Sequence, residues 1–276
     1  MDYPSSSSGP TAYSHGHHAS VLASHGRRTA ATSCAYVLDR VRPGTRVLDV
    51  GCGPGSVTLD LAERVGSTGQ VVGVDFSAAA VEAAQVAARR RGDHRTRFRV
   101  ADVRELDLGS ASFDLVHAHQ VLQHLGDPVG ALREMARYCA PDGVVAVRDA
   151  DYGAMTWFPE HEGLDRWRRT YCAAARASGA EPDAGRRLRS WALQAGLEVL
   201  DATSSTWTYA TPESTRWWGT SQADRVRHSA FADRAATQGL GPQRVEQVAL
   251  AWEQWGQEPD AWFCIPHGEV VAKPRA

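Results

Sequence analysis

Apolar runs alternate with amphipathic stretches through the first 150 residues. Runs rich in valine and leucine predict buried strands, at residues 46–50, 71–75, 96–101, 113–118 and 144–148. Around and between them, apolar residues recur at helical spacing and predict helices, at residues 29–41, 56–65, 78–91 and 129–138. Strands that alternate with helices favour an α/β fold with a parallel, doubly wound sheet and right-handed crossovers.

The pattern changes after Asp151, where aromatic residues become frequent. All nine tryptophans lie at or beyond Trp157. Helical spacing and strand-like runs continue to the end of the chain, with helices at residues 160–178, 181–195, 212–238 and 242–255 and strands at 196–209 and 262–273. We expect a Rossmann-like sheet of seven strands. Two helices inserted between its last two strands would form a Trp-rich helical cap over the sheet edge.

Composition narrows the class of protein. With 43% hydrophobic and 22% charged residues, the chain is typical of a globular protein. Its 30 basic and 32 acidic residues leave a net charge of −2, so charge does not favour nucleic acid or an anionic membrane as a partner. No apolar run approaches the length of a membrane span, and no apolar signal segment begins the chain, so we expect a cytoplasmic location. The five scattered cysteines lack C-x-x-C spacing, which argues against a disulfide framework or a zinc site.

A glycine-rich turn follows the first predicted strand directly. The sequence Gly-Cys-Gly-Pro-Gly occupies residues 51–55, between that strand and the helix predicted at residues 56–65. Glycine lets the backbone adopt unusual φ values and approach a ligand closely. The first turn of the following helix offers unpaired N–H groups. Strand, glycine turn and helix together indicate the first unit of a nucleotide-binding sheet.

Three acidic residues stand at successive strand ends. Asp49, Asp75 and Asp102 are 26 and 27 residues apart, which is one strand–helix unit each. Ligands of parallel sheets bind beyond the carboxyl ends of the strands. There Asp75 could accept hydrogen bonds from the hydroxyls of a ribose. Asp102 could accept one from the exocyclic amine of a base, and Asp49 could lie near an ammonium group. Ribose, base and ammonium describe S-adenosylmethionine better than a dinucleotide.

At these residues the chain resembles the class I S-adenosylmethionine-dependent methyltransferases. More closely, it resembles the group that contains the ubiquinone/menaquinone C-methyltransferases and bacterial small-molecule tailoring enzymes. The resemblance covers roughly residues 40–150, and its matching motifs lie at residues 47–55, 72–77, 101–103, 113–116, 121–125 and 141–143. Ala101 stands where glycine is commoner. The aromatic-rich part of the chain after Asp151 carries no general family motif, so the identity of the methyl acceptor stays open.

The resemblance implies a set of cofactor-binding residues. The residues expected to contact S-adenosyl-L-methionine, or its product S-adenosyl-L-homocysteine, are Asp49, Gly51, Gly53, Asp75, Phe76, Asp102, Val103, His119 and Gln120. Asp75 would bind the ribose and Asp102 the adenine amine, while Asp49 would lie near the ammonium. Two structural alternatives stay open. Asp49 could brace the turn, and Phe76 could belong to the core.

The resemblance also implies a simple reaction. A sulfonium methyl is already activated, so transfer needs an in-line approach with water excluded and no metal. An acceptor N–H, O–H or acidic C–H also needs a general base. The candidates near the sheet edge are His119, His124 and Tyr152. For His124, a capping or core role is the alternative.

The acceptor site is expected from aromatic residues and from the N-terminal arm. Aromatic rings can line a flat pocket and stabilise a cation, and the candidates are Tyr13, His18, Trp157, Trp217 and Trp218. The arm around residues 13–18 could instead be solvated or bind a metal, but no ligand-spaced acid or cysteine accompanies its histidines. The resulting division is a disordered tail (1–12), an arm and helix over the cofactor site (13–42), a cofactor-binding core (43–152), and the remaining sheet with its cap (153–276).

These inferences predict a methyltransferase acting on a small aromatic or heteroaromatic natural product, indole-like or phenol-like, at carbon, nitrogen or oxygen. One alternative is a nicotinamide-dependent oxidoreductase, although Ser56 stands where that class requires a third glycine. Another is a non-catalytic S-adenosylmethionine-binding regulatory protein. A homodimer stays open as the assembly.

Overall fold

The computed structural model describes residues 28–106 and 108–275. Its strands are β1 (Arg46–Val50), β2 (Gln70–Asp75), β3 (Arg97–Val100), β4 (Phe113–His119), β5 (Cys139–Ala150), β6 (Thr156–Phe158), β7 (Glu198–Tyr209) and β8 (Trp262–Lys273). Its α-helices are α1 (Ala30–Ser33), α2 (Ser56–Val65), α3 (Ala78–Arg90), α4 (Pro128–Tyr138), α5 (Glu162–Ala177), α6 (Leu188–Gln194), α7 (Pro212–His228), α8 (Phe231–Thr237) and α9 (Pro242–Trp255). The predicted tail at residues 1–12 and most of the predicted arm lie outside the described residues.

All eight strands belong to one sheet. Its order is β3-β2-β1-β4-β5-β8-β6, and β7 pairs with the other edge of β8. The first five strands of this order are parallel, while β8 runs antiparallel to β5 and β7. β6 pairs with β8 beyond the point where β5 leaves it. The Rossmann-like α/β fold is therefore confirmed, and the short β6 adds an eighth strand to the seven that we expected.

Helices cover both faces of the sheet because side chains alternate along each strand. Leu48 lies in a buried cluster with Leu132 of α4 and Trp191 of α6. Its neighbour Val47 lies in a second buried cluster with Leu61 of α2. The doubly wound arrangement follows from this division of the apolar residues.

The tryptophans build a third core in the C-terminal half. Trp252 of α9 meets Trp167 of α5 edge-on, with ring centroids 4.9 Å apart. Trp252 also contacts Phe263 of β8 at 5.4 Å. A Cβ on Gly219 would lie 2.4 Å from the Trp252 carbonyl oxygen, so glycine lets α7 and α9 approach closely. The Trp-rich cap therefore has its own apolar core.

Three predicted helices are divided in the structure. The helix predicted at residues 181–195 is a 3₁₀-helix at Gly185–Arg187 followed by α6. Residues 212–238 form α7 and α8, so three helices rather than two separate β7 from β8. Ser229 divides them, because its hydroxyl donates to the Arg225 carbonyl at 2.6 Å and accepts from the Phe231 N–H at 3.2 Å. The helix predicted at residues 29–41 is α1 followed by a 3₁₀-helix at Ala35–Arg40.

No helix in residues 28–106 or 108–275 has both the length and the apolar character needed to cross a membrane.

Candidate active site

The turn after β1 uses its three glycines in different ways. Gly51, Gly53 and Gly55 have φ values of 69°, 54° and 79°, which residues with a Cβ rarely adopt. A Cβ on Gly51 would lie 2.3 Å from Val121 Cγ2, and one on Gly55 would lie 2.8 Å from Ala84 Cβ. A Cβ on Gly53 would meet no atom of the described residues within 4 Å. Gly51 and Gly55 therefore permit close packing, whereas Gly53 borders open space that a ligand can enter.

Asp49 lies buried at the end of β1, next to this turn, and each of its carboxylate oxygens contacts a polar side chain. Its Oδ2 accepts a 2.6 Å hydrogen bond from the Thr58 hydroxyl, and its Oδ1 is 2.8 Å from His117 Nδ1. The Cys34 Sγ is 3.2 Å from the other ring nitrogen of His117. Burial lowers the pKa of His117, but Cys34 and Asp49 outweigh burial and raise it to about 10. This arrangement favours a bracing role for Asp49, while its predicted contact with an ammonium stays a prediction.

Asp75 joins the end of β2 to the open side of the turn. Its Oδ2 accepts from the Gly53 N–H at 3.0 Å, and its Oδ1 accepts from the Ser77 N–H at 2.9 Å. The adjacent Phe76 is 52% exposed, which is unusual for so large an apolar side chain. The structure thus brings a carboxylate, an open glycine and an exposed aromatic ring to one place.

Asp102 and Val103 follow the end of β3. Asp102 accepts hydrogen bonds from the backbone N–H and the guanidinium of Arg104, at 2.5–2.9 Å. The hydrogen bond from Arg104 lowers the pKa of Asp102, so the carboxylate stays ionised. The Val103 side chain is buried in the core cluster that contains Leu48. The predicted adenine contacts of Asp102 and Val103 stay predictions.

A hydrogen-bonded chain fixes Gln120 just beyond β4. Gln120 has a φ of 56°, and its N–H donates to the Arg148 carbonyl at 2.7 Å. Its Oε1 accepts from Arg28 Nη2 at 2.6 Å, and its Nε2 lies 2.8 Å from His267 Nε2. His267 Nδ1 donates to the Ile265 carbonyl at 3.0 Å. Burial and Arg148 hold the pKa of His267 well below its usual value, so its neutral Nε2 accepts from the Gln120 amide.

His119, the last residue of β4, is buried with no hydrogen bond to either ring nitrogen within the described residues. Its ring centroid lies 5.4 Å from that of Trp207 and 6.1 Å from that of His267. Burial, with Arg28 and Arg148 nearby, holds the pKa of His119 well below its usual value. The imidazole is therefore neutral near pH 7 and offers one donor and one acceptor nitrogen.

Trp207 of β7 is held at the same edge of the sheet. The Arg28 and Arg148 guanidinium carbons lie 5.4 and 5.0 Å from its ring centroid. Its Nε1 donates to the Thr32 carbonyl at 2.8 Å, which ties β7 to α1. Arg148 itself is buried and pairs with Glu269 of β8 at 3.1 Å. This tryptophan is consequently fixed in place by charge as well as by packing.

A cavity of about 420 Å³ adjoins Gln120 and Trp207. Among the described residues, six aromatic side chains line it: Tyr152, Trp167, Trp207, Tyr209, Trp217 and Trp218. Tyr209 and Trp218 stack with centroids 4.4 Å apart and planes 9° from parallel. Flat aromatic walls of this kind suit a flat apolar ligand.

Three of the predicted acceptor residues lie in the described part of the chain. Trp217 and Trp218 line the cavity, whereas Trp157 does not. Trp157 instead stacks on Phe263 at 5.6 Å and lies under the Arg168 guanidinium at 4.7 Å. Tyr13 and His18 fall outside the described residues.

The predicted general bases occupy different surroundings. Tyr152 lines the cavity, and burial raises the pKa of its phenol. His124 is buried outside the cavity lining, with its Nε2 3.0 Å from Gln123 Nε2. Burial lowers the pKa of His124 to about 3. His119 lies beside the cavity wall, in contact with Trp207.

Sequence reasoning missed several cavity residues. The residues that it did not single out include Arg28, Trp167, Trp207, Tyr209, Gln222 and Arg225. Trp207 and Tyr209 are two apart on a predicted strand and therefore share a face. Gln222 and Arg225 share a helix face with Trp218. These spacings could have shown that the residues share a face, but neither spacing indicated which face borders a site.

Within the described ranges, no cluster of three histidine, cysteine, aspartate or glutamate side chains could hold a metal ion.

The residues around the turn fit an adenosyl cofactor. The space beside Gly53, the Asp75 carboxylate and the exposed Phe76 ring lie together at the carboxyl ends of β1 and β2. Carboxylates that follow successive strands are suited to ribose and adenine. Asp49, Gly51 and Gly53 lie at the end of β1 where the methionine part is expected.

Comparison with known proteins gives the same assignment. Residues 42–205 match the family described as "Methyltransferase domain". An uncharacterized methyltransferase of Schizosaccharomyces pombe is 33% identical over 272 residues, covering 95% of this chain and 96% of that protein. A ubiquinone/menaquinone biosynthesis C-methyltransferase of Bdellovibrio bacteriovorus is 40% identical over 106 residues, covering 38% of this chain and 44% of that protein.

A solved structure also aligns over most of the chain. The [4+2]-cyclase SpnF has a TM-score of 0.54 and 27% identity, covering 91% of this chain and 84% of that one. The family match confirms the resemblance inferred from the motifs. The chain belongs to the methyltransferase-domain family, and S-adenosyl-L-methionine is its cofactor.

Proposed function

We propose that this enzyme methylates a small aromatic or heteroaromatic molecule, indole-like or phenol-like, at carbon, nitrogen or oxygen. The observation that carries the proposal is the aromatic-walled cavity of about 420 Å³ beside Gln120. A cavity of this size and lining suits a flat small molecule better than a nucleic acid. Bound at the turn, S-adenosyl-L-methionine supplies a methyl group already activated on its sulfonium.

The cofactor is held by residues of the turn and of the next two strand ends. Asp75 accepts the ribose hydroxyls and Asp102 the adenine amine, while Phe76 and Val103 flank the adenine. Gly53 leaves room for the methionine part, and its ammonium lies near the residues around Asp49 and Gly51. The short glycine turn supports these roles because it combines open space with the Asp75 carboxylate.

His119 and Gln120 border both ligands. Gln120 is held by Arg28 and His267, so it can orient the acceptor against the methyl donor. His119 is unprotonated at neutral pH and can take the proton of an acidic acceptor atom. Tyr152, whose pKa is raised by burial, keeps its proton and serves as a hydrogen-bond donor. The aromatic walls exclude water from the transfer.

The test is a turnover screen with methyl-deuterated S-adenosylmethionine and a panel of indoles and phenols, analysed by mass spectrometry. We expect at least one aromatic compound to gain a labelled methyl group. A matched panel of aliphatic amines and alcohols is the control. Labelling confined to the aliphatic panel contradicts the proposal.

Two alternatives make different predictions. A nicotinamide-dependent oxidoreductase would bind NAD, which isothermal titration detects beside S-adenosylhomocysteine. A regulatory protein would bind S-adenosylhomocysteine but label no compound of either panel. We expect binding of S-adenosylhomocysteine, no binding of NAD, and turnover.

A further inference from the structure

A short 3₁₀-helix follows β3 and begins next to Asp102. It spans Val103–Glu105, and Asp102 is its N-cap residue. The Val103 side chain is buried in the core. Just after the helix, the Leu106 carbonyl accepts a hydrogen bond from the Tyr138 hydroxyl of α4. The segment is therefore attached to the core at two points, so the Asp102 side chain extends from a fixed backbone.

Arg104 donates hydrogen bonds to both carboxylate oxygens of Asp102. Oδ1 accepts from the Arg104 backbone N–H and from its Nε, each at 2.9 Å. Oδ2 accepts from Nη2 at 2.5 Å. Two N–H donors of one guanidinium form a fork that fixes the plane of a carboxylate as well as its position. A lysine ammonium is a point charge and does not fix that plane.

This fork leaves Asp102 one open acceptor position. A carboxylate offers about four acceptor positions, two on each oxygen. Among the described residues, Oδ1 accepts two hydrogen bonds and Oδ2 accepts one, so the remaining position lies on Oδ2. The side chain is partly exposed, so a ligand can reach the carboxylate. One position with a fixed direction suits a single N–H donor.

Neighbouring charges support the pairing of Arg104 with Asp102. Their hydrogen bond lowers the pKa of Asp102 and raises that of Arg104. Glu105 and Asp127 also raise the pKa of Arg104. Both partners therefore stay charged near neutral pH. Their side chains are 44% and 32% exposed, so the pair contributes little to the stability of the fold, and its loss should leave the protein folded.

We infer that Arg104 is a positioning residue for adenine: its fork directs the open acceptor position of Asp102 at the exocyclic amine and makes the site select adenine over hypoxanthine. This inference rests on the proposed contact of Asp102 with the cofactor and adds the residue that directs it. Adenine carries an N–H donor where hypoxanthine carries a carbonyl oxygen. A fixed acceptor attracts the first and repels the second. A carboxylate that is free to rotate can instead accept from the ring N–H of hypoxanthine, and it loses more freedom on binding.

The first experiment compares two cofactor products. S-adenosylhomocysteine and S-inosylhomocysteine differ only in the base, which is adenine in one and hypoxanthine in the other. Isothermal titration of each into the full-length enzyme measures both affinities. We expect S-adenosylhomocysteine to bind at least about tenfold more tightly, and Asp102→Ala to bring the two affinities within about threefold. Equal affinities for the wild-type enzyme overturn the inference. An unchanged preference in Asp102→Ala overturns both the inference and the contact of Asp102 with adenine.

Variants of Arg104 test the fork itself. Arg104→Met removes the fork and leaves the Asp102 carboxylate, and it should lower the preference at least about fivefold. Arg104→Lys keeps the charge without the fork and should lower the preference nearly as far. A wild-type preference in Arg104→Lys shows that charge suffices and overturns positioning by the fork.

Arg99→Met is the matched control. Arg99 is exposed on β3, and among the described residues it is not one of the donors to Asp102. The control removes the same charge from the same strand, and we expect it to keep the wild-type preference. An equal loss in Arg99→Met and Arg104→Met overturns the inference, because charge in general would then explain the preference.

The pattern of losses separates positioning from structural damage. Damage weakens both compounds in parallel and lowers the Tm, whereas positioning changes the ratio of the two affinities while the Tm stays within a few degrees. Parallel weakening in Arg104→Met therefore overturns the inference. A preference lost in Asp102→Ala but kept in Arg104→Met overturns only the role of Arg104 and leaves the contact of Asp102 with adenine in place. Failure to methylate any aromatic compound counts against the proposed acceptor and does not alter this ratio.

Discussion

The cofactor turn and the aromatic cavity draw on the chain in different ways. The turn brings Asp49, Gly51 and Gly53 together with Asp75, all within 27 residues, and offers a ligand the space beside Gly53 and the Asp75 carboxylate. The cavity is lined by residues from Arg28 to Ile265 and acts through side-chain rings and donors. We therefore expect cofactor binding to depend on a short segment of the chain and acceptor choice to depend on how distant elements converge.

The largest expected effect is a substitution in the turn that leaves packing intact. Gly53→Ala adds a Cβ that contacts no described atom within 4 Å, so the only folding cost is about 1–2 kcal/mol for a positive φ. The added methyl occupies the space expected for the cofactor. We expect affinity for S-adenosylhomocysteine to fall about 100-fold, or about 2.7 kcal/mol. Isothermal titration measures it.

Gly92→Ala is the control for this substitution. Gly92 also has a positive φ, of 68°, just after α3, and a Cβ there would also meet no atom of the described residues within 4 Å. Both variants should show a similar decrease in Tm. Equal loss of cofactor affinity in both would show that the space beside Gly53 is not the cofactor site.

The second effect tests the carboxylate at the end of β2. Asp75→Ala should weaken binding of S-adenosylhomocysteine by about 1–3 kcal/mol, because ribose hydroxyls lose their acceptor. Affinity for an aromatic acceptor should change little, since Asp75 does not line the cavity. An unchanged dissociation constant for the cofactor product would remove Asp75 from the site.

The third effect lies where the two regions meet. His119→Ala should lower turnover by at least about tenfold, equivalent to about 1.4 kcal/mol of barrier, and weaken cofactor binding less. Because the pKa of His119 is held well below its usual value, its protonation should cause no loss of activity between about pH 8 and pH 6. Full activity of the variant would show that His119 is not the base.

The fourth effect is confined to the cavity. Trp207→Leu removes an aromatic wall and should raise the KM for an aromatic acceptor by about five- to tenfold, leaving cofactor affinity unchanged. Trp157→Leu is the comparison, because Trp157 stacks on Phe263 outside the cavity. A larger KM effect from Trp157→Leu would place the acceptor elsewhere.

The smallest effect concerns the buried pair of His117 and Asp49 beneath the turn. The pKa of His117 is raised from 6.5 to about 10, so the stability from its protonated form is complete below about pH 6.5 and is lost as pH rises toward 10. We expect the wild-type Tm to fall by a few degrees over this range. His117→Asn should show a weaker decline. Parallel declines would show that the imidazole charge does not stabilise the fold.

Most of the fold and the position of the glycine turn could be predicted because they depend on short-range patterns. Strand periodicity identified β1 to β5, and the spacing of Asp49, Asp75 and Asp102 placed them at one sheet edge. The helix break at Ser229 was not predictable from periodicity, since the apolar spacing continues through it. The Phe231 N–H donates to the Ser229 hydroxyl instead of to a helical carbonyl, and this side-chain bond decided that boundary.

The cavity was only partly predictable because aromatic residues also build cores. Trp157 and Trp207 are equally apolar in sequence, yet Trp157 joins the cap and Trp207 borders the site. The Cys34–His117–Asp49 contact spans 83 residues and has no local pattern. Burial and charge at these positions arise from elements that are distant along the chain.

The sequence by itself determined the α/β fold and the methyltransferase family, and it predicted the segment expected to bind S-adenosyl-L-methionine, because strand period, glycine conformation and acid spacing act over a few residues. Only the tertiary structure decided which tryptophans line the cavity and how Arg28 fixes Gln120. Those properties depend on which helix and strand faces meet, and the packing of the whole chain sets those contacts.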